Sequence, residues 1–225
     1  AGHLVANGKD TLGADVNLAP DSVAQCIEKT GFGFMFAQGF HPSMKHAAGP
    51  RREIGIRTVF NILGPLTNPA GAKRQVIGVS NKSVGELIAN VLRRLQSERS
   101  LIIHGEDGLD EITITQNSTV WDLESSGKIT TSQIDIEELG FQRNNINSVQ
   151  VNSVSESANI ITDVLSGLKS PARDIVLLNS AAGLVASGIS RDLLTGVNDA
   201  MRSIDSGHAL ETLKSYVEMS NSLSE

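Results

Sequence analysis

Three stretches of this sequence place chemically capable residues close together. The first is GEDGLDEI, residues 105–112, in which Asp110 and Glu111 stand side by side after an apolar run. A loop that follows a strand lies at the edge where open α/β sheets bind ligands. Paired carboxylates there suit Mg²⁺, which takes one or two protein carboxylates and completes its shell with substrate phosphates. The plain alternative is a solvated acidic turn. The second stretch is His41-Pro42-Ser43-Met44-Lys45-His46, followed by Arg51 and Arg52. Such a basic cluster could receive an anionic substrate, since the planar fork of arginine matches a carboxylate with two hydrogen bonds. The alternative is a helix with an ordinary charged face. Two histidines five residues apart, with no cysteine or third histidine nearby, make a poor zinc set. The third is NILGPLTNP, residues 61–69. Its Gly64-Pro65 turn could wall a pocket for a flat aromatic ligand, or simply turn the chain.

The elements that must position these residues can be read from periodicity and breakers. Pro20 to Thr30 reads as a helix, with proline in its first turn, Val23, Cys26 and Ile27 on one face, and Gly31 to stop it. Phe32, Phe34 and Phe36 alternate along FGFMFA, the pattern of a short strand. Residues 41–55 predict one or two helical turns interrupted at Pro50. The breakers Gly64-Pro65 and Asn68-Pro69 predict a shaped loop after an apolar element.

Arg74 to Ser80 predicts a buried strand. Val84, Leu87, Ile88, Val91, Leu92 and Leu95 keep the spacing of a helix face, and Ser100 to Gly105 predicts a second strand. Strand, helix and strand in that order form a βαβ unit and favour parallel pairing. STVWDLESSGKITT predicts a hairpin turning at Ser126-Gly127. From residue 153 onward the chain reads as helical throughout. Ser153 with Glu156 fits a capping box, Pro171 opens an almost uniformly apolar helix, and Ser190 could cap the next. The last helix runs from about residue 209 to 222.

With 225 residues the chain is long enough for a full hydrophobic core. A net charge of −6 and an aromatic content of 4% argue against a nucleic-acid partner, which asks for a basic surface and stacking rings. No apolar run approaches a membrane span, and the first residues lack a charged-then-apolar leader pattern. The single cysteine, Cys26, rules out an intrachain disulfide. The expectation is a cytoplasmic protein. No dinucleotide fingerprint, P-loop, nucleophile elbow or HExxH occurs.

Taken together, residues 31–79, GFGFMFAQGFHPSMKHAAGPRREIGIRTVFNILGPLTNPAGAKRQVIGV, closely resemble anthranilate phosphoribosyltransferases. HGEDGLDEI resembles that family's second magnesium motif, and PARDIVLLNSAAGLVASG its long C-terminal helix. The resemblance implies an α/β fold whose mostly parallel central sheet is flanked by helices, as in the C-terminal domains of nucleoside phosphorylases and phosphoribosyltransferases. It implies that residues 1–225 form one large domain, the C-terminal part of a longer two-domain enzyme. The implied reaction transfers phosphoribose from phosphoribosyl pyrophosphate to the amine of anthranilate, releasing pyrophosphate, in tryptophan biosynthesis.

By position, His41, Arg51, Gly64 and Pro65 match residues lining the anthranilate channel, and Met44 an apolar channel residue. Asp110 and Glu111 match ligands of a Mg²⁺ that neutralises the pyrophosphate. No covalent nucleophile is implied, and an aromatic amine is neutral at pH 7 and needs no strong base. The family's GTGGDG, NxSTAS and KHGN segments do not occur here, and HLVANGKDTLG stands in place of its SGSADxLExLG helix. These 225 residues alone are therefore expected to be inactive, and the family's homodimer to require the helical domain that is absent. The competing expectations are a related pyrimidine nucleoside phosphorylase and a binding remnant that keeps the fold without the chemistry.

Overall fold

The computed structural model describes residues 5–6, 9–40, 66 and 68–224. In chain order its elements are strands β1 (Val5–Ala6) and β2 (Lys9–Asp10), and helices α1 (Pro20–Thr30) and α2 (Ala37–Phe40). Strand β3 (Arg74–Gly78), helix α3 (Gly85–Arg94) and strands β4 (Arg99–Gly105), β5 (Ser118–Leu123) and β6 (Ile129–Ile134) follow. Helices α4 (Val154–Leu165), α5 (Pro171–Ser187), α6 (Leu193–Asp205) and α7 (His208–Ser222) complete the chain. The residues divide into two compact units, one of residues 59–150 and 168–203, the other of residues 1–58, 151–167 and 204–225. Among the described residues no helix is long and apolar enough to cross a membrane.

The first of these units contains a four-stranded sheet in the order β3-β4-β5-β6. β3 and β4 pair in parallel, Arg74 opposite Arg99 through Gly78 opposite Ile103, with α3 as the crossover. That is the expected βαβ unit. The expected hairpin is there too: β5 and β6 pair antiparallel from Ser118–Ile134 to Leu123–Ile129. Gly127 takes φ = 80° in the turn, a left-handed conformation that suits glycine. The chain is thus α/β with helices flanking its sheet. The expected parallel pairing is confined to β3–β4 among the described residues, because β4, β5 and β6 are joined by connections that reverse the chain.

β4 is buried along nearly its whole length because both faces of the sheet are covered. Ile88, Ala89 and Leu92 of α3 pack with Ile77, Ile102, Trp121 and Leu123 on one face. Leu178, Ala181, Ala182 and Val185 of α5 pack with Leu101, Ile103, Val120 and Ile134 on the other. Leu101 and Ile103 therefore point one way and Ile102 the other, as strand geometry requires. Leu87 and Leu95, counted on the apolar face of α3 by spacing, are about half exposed at 55% and 50%. Gly196 of α6 lets that helix close on α5, since a Cβ there would lie 2.9 Å from the Cα of Ala181.

One expected helix cap needs correction. Ser190 does not cap α6: its hydroxyl donates to Asp199 at 2.6 Å, and Asp192 Oδ1 accepts the Thr195 N–H at 2.8 Å instead. Serine and aspartate both favour caps, and only the path of the chain selects between them. At α5 the expected start holds, with Ser170 Oγ accepting the Arg173 N–H at 3.2 Å.

In the other unit, α1 and α7 pack around Ala14, Leu18, Val23, Cys26 and Tyr216. Segment 10–18 is tied to α7 by Ser220 Oγ, which accepts the Asp15 N–H at 3.0 Å, and by Asn221, which donates to the Gly13 carbonyl at 2.8 Å. The capping box of α4 forms with its return arm displaced by one residue. Glu156 N–H donates to Ser153 Oγ at 3.1 Å, while the Glu156 carboxylate accepts from Asn152 N–H at 2.8 Å.

The strand expected over Phe32 to Phe36 does not form: these residues are irregular and pair with no strand among the described residues. Their alternation is real, however. Phe32, Phe34 and Phe36 line a cavity of about 400 Å³ while Met35 packs into the core. Alternation marks an extended segment between two environments; a strand also needs a free sheet edge to pair with.

Candidate functional site

Because β3 and β4 run parallel, their C-terminal ends open onto one edge of the sheet. The pairing continues past Gly78, where Val79 N–H donates to the Ile103 carbonyl at 2.8 Å. The ring of His104, buried at 7% exposure, donates from Nδ1 to the Val79 carbonyl at 2.8 Å. The GEDGLDEI loop leaves β4 at this edge.

The four carboxylates of the loop fall into two pairs with different roles. Glu106 and Asp107 hold the loop. Glu106 Oε1 accepts from Lys82 Nζ at 2.6 Å, from Thr119 Oγ1 at 2.6 Å and from Gln133 Nε2 at 3.2 Å. The Lys82 hydrogen bond is the main reason its pKa falls to about 2, with Thr119 and Gln133 assisting against partial desolvation. Asp107 accepts from the hydroxyls of Thr113, at 2.6 Å, and Thr115, and from the Leu109 N–H at 3.2 Å. Desolvation works against its ionisation, but these donors outweigh it and hold the pKa below its ordinary value. Gly108 turns the chain at φ = 97°, and the Gly105 N–H closes the loop on the Leu109 carbonyl at 2.9 Å.

Asp110 and Glu111 form the other pair. Both are exposed, and neither carboxylate is engaged in a hydrogen bond or ion pair among the described residues. Glu111 lies above its ordinary pKa because of partial desolvation, then the charges of Asp110 and Asp107. Mutual repulsion of this kind is relieved by a cation. No group of three or more His, Cys, Asp and Glu side chains among the described residues could hold a metal by itself. Two free carboxylates that leave the remaining positions to ligand oxygens fit Mg²⁺ in that mode.

Two residues outside the motif shape this turn, and sequence periodicity does not single out either. A Cβ on Gly78 would lie 1.6 Å from the main-chain oxygen of Asp110, so the turn rests directly on the end of β3. Asn179 of α5 binds both main-chain groups of Ile112, accepting its N–H at 2.8 Å and donating to its carbonyl at 2.9 Å. A polar residue inside an almost wholly apolar helix was the available signal.

A cleft of about 500 Å³ beside the loop is lined by residues that include Asp107, Gly108, Leu109, Thr115, Asn144 and Asn145, and not by Asp110 or Glu111. His41, Met44, Arg51, Gly64 and Pro65 lie outside the described residues. At the far end of that stretch, the second breaker does form a turn, where Gly71 N–H donates to the Asn68 carbonyl at 3.0 Å.

The chain as a whole is similar to proteins of known sequence and structure. An anthranilate phosphoribosyltransferase of Acetivibrio thermocellus is 46% identical over 213 residues, covering 95% of this chain and 61% of its own length. The chain thus spans about three fifths of that relative. The solved anthranilate phosphoribosyltransferase of Thermus thermophilus superposes with a TM-score of 0.87 at 39% identity, covering 93% of this chain and 62% of its own. The Saccharomyces cerevisiae enzyme, solved with PRPP and Mg, matches at 0.87 and 29% identity over 95% of this chain and 61% of its own. The same yeast enzyme has been solved with 4-fluoroanthranilate. Residues 9–210, which contain the βαβ unit, the carboxylate loop and the helix that braces it, match the model of the glycosyl transferase family α/β domain, and the chain belongs to that family.

Proposed function

We propose that this chain is the C-terminal α/β part of an anthranilate phosphoribosyltransferase, which joins the phosphoribosyl group of phosphoribosyl pyrophosphate to the amine of anthranilate and releases pyrophosphate. The observation that carries the reading is the Asp110–Glu111 pair, unpartnered among the described residues and presented at the sheet edge by a loop whose other two carboxylates are engaged. The match of residues 9–210 to one α/β domain supports treating the whole chain as a single domain. A biosynthetic enzyme acting on soluble substrates implies a cytoplasmic location, with no nucleic acid or membrane as partner. Homodimer formation is assigned to the helical domain that the longer relatives would carry.

In this reading Asp110 and Glu111 hold Mg²⁺. The ion supplies neutralisation of the pyrophosphate leaving group. Loss of pyrophosphate leaves positive charge at the anomeric carbon, so the residues of the chain bind and aim rather than attack. Arg51 takes the anthranilate carboxylate, His41 lines the same channel, and Gly64 and Pro65 pack against the ring. The chain needs no covalent nucleophile and no strong base, because the arylamine is already neutral.

These 225 residues lack the GTGGDG, NxSTAS and KHGN segments, so they supply part of the diphosphate site. The test titrates anthranilate fluorescence with the chain and assays product formation with phosphoribosyl pyrophosphate and Mg²⁺. Saturable binding lost in Arg51→Ala, without turnover, is the expected result. Multiple turnovers would show that the chain is sufficient by itself. Release of thymine from thymidine and phosphate would identify a nucleoside phosphorylase instead, and no binding of either substrate would overturn the assignment of anthranilate to this chain.

A further inference from the structure

We infer that Asn179 is a positioning residue for the cation-binding turn, setting the backbone of Glu111 through the peptide that follows it. The inference rests on the reading of Asp110 and Glu111 as the cation ligands. Glu111 lies between two peptide planes. The preceding plane carries the Asp110 carbonyl, which occupies the place of a Cβ on Gly78. The following plane carries the Ile112 N–H, which Asn179 Oδ1 accepts at 2.8 Å. With both planes fixed, φ and ψ of Glu111 are fixed, and with them the direction in which its side chain leaves the loop.

Only a carboxamide performs this task. Asn179 Nδ2 donates to the Ile112 carbonyl at 2.9 Å and to the Ile175 carbonyl of its own helix at 2.9 Å. Both donors and the acceptor are therefore used, and the two carbonyl contacts settle which end of the group is nitrogen. Aspartate offers no donor for those carbonyls, and leucine offers neither donor nor acceptor. Ile112 is fully buried at 0% exposure, so its main-chain groups have no water to turn to when the carboxamide is lost. Asn179 itself sits on a helix anchored in the sheet core through Leu178, Ala181 and Ala182, a rigid base for a ligand-bearing loop.

The test uses Mn²⁺ alone as the probe and follows paramagnetic broadening of backbone amide signals in the 225-residue chain. In the unaltered chain, Mn²⁺ broadens the signals of residues 109–113. Asn179→Ala shifts the midpoint of that broadening to about tenfold higher Mn²⁺, the scale on which groups supporting a metal ligand act. Added to the Asp110→Asn, Glu111→Gln double variant, Asn179→Ala causes no further change, because the ligands through which it acts are gone. If Asn179→Ala does not fold, Asn179→Leu serves, its methyl groups branching from the same carbon as the carboxamide. A folded variant that loses thermal stability but keeps the Mn²⁺ midpoint overturns the positioning role and leaves the carboxylate reading standing. Unchanged broadening in the Asp110→Asn, Glu111→Gln variant overturns the carboxylate reading and the role of Asn179 with it.

Discussion

Gly78 has no side chain where the main chain of Asp110 passes: a Cβ at that position would lie 1.6 Å from the Asp110 carbonyl oxygen and 2.6 Å from its carbon. One glycine at the end of a strand thereby admits the turn that carries both candidate cation ligands. Backbone on the receiving side cannot move aside as the tip of a flexible side chain can. Gly78→Ala must displace residues 109–111 or the end of β3, at a cost of about 1–3 kcal/mol for overpacking. Urea unfolding should give a lower midpoint with an unchanged slope, together with weaker Mn²⁺ broadening. A stability within about 0.5 kcal/mol of the parent would mean that the turn does not rest on Gly78.

Glu106 predicts the acid limb of stability. Its pKa falls from 4.5 to about 2, chiefly through the Lys82 hydrogen bond, so between those values the unfolded chain binds the proton more readily than the folded one. The contribution is complete above about 4.5 and drains away as pH falls toward about 2. Glu106→Gln removes the carboxylate, and the difference in urea midpoint between parent and variant should shrink steadily over that interval. A difference that stays constant from about pH 7 down to about pH 3 would exclude the Glu106 charge as its source.

Glu111 predicts the opposite sign. Its pKa is raised by desolvation and by the charges of Asp110 and Asp107, so the ionised form is less favourable in the folded chain than in the unfolded one. Stability on this account declines as pH rises through the interval above the ordinary glutamate value, and stays lower at neutral pH. Without added cation, Glu111→Gln should raise the melting temperature at pH 7 by about 1–2 °C, the scale of a surface change of at most about 0.5 kcal/mol. The same variant should bind Mn²⁺ more weakly, a gain in stability set against function. A lower melting temperature would show that the Glu111 carboxylate is stabilising instead.

Ser170 predicts how firmly α5, the helix bearing Asn179, is started. Its hydroxyl accepts the Arg173 N–H at 3.2 Å beside Pro171. Ser170→Ala should cost about 1 kcal/mol in chemical denaturation, and Ser170→Asp should recover most of it. Failure of aspartate to recover stability that alanine loses would argue that the hydroxyl acts outside the cap.

Much of this architecture is decided within a few residues along the chain, and that is why it can be read from sequence. The capping hydroxyls of Ser153 and Ser170 each act on an N–H three residues on. The Ser126-Gly127 turn needs one glycine at positive φ, and the β3–α3–β4 unit announces itself by a change of hydrophobic period. The Asp110–Glu111 pair is legible for the same reason. Which of the four loop carboxylates are engaged among the described residues was decided elsewhere, in part by Lys82, Thr119 and Gln133 closing on Glu106 from other elements. The Phe32–Phe36 alternation was legible, but whether a sheet edge stood ready to pair with it was not. The contact between Asn179 and Ile112 joins residues 67 positions apart, and the space above Gly78 is filled by the carbonyl of Asp110, far along the chain. Periodicity and capping report local preference. A hydrogen bond or an exclusion across such separations exists only once the sheet and α5 have packed, so tertiary structure alone decided how the candidate ligands are aimed.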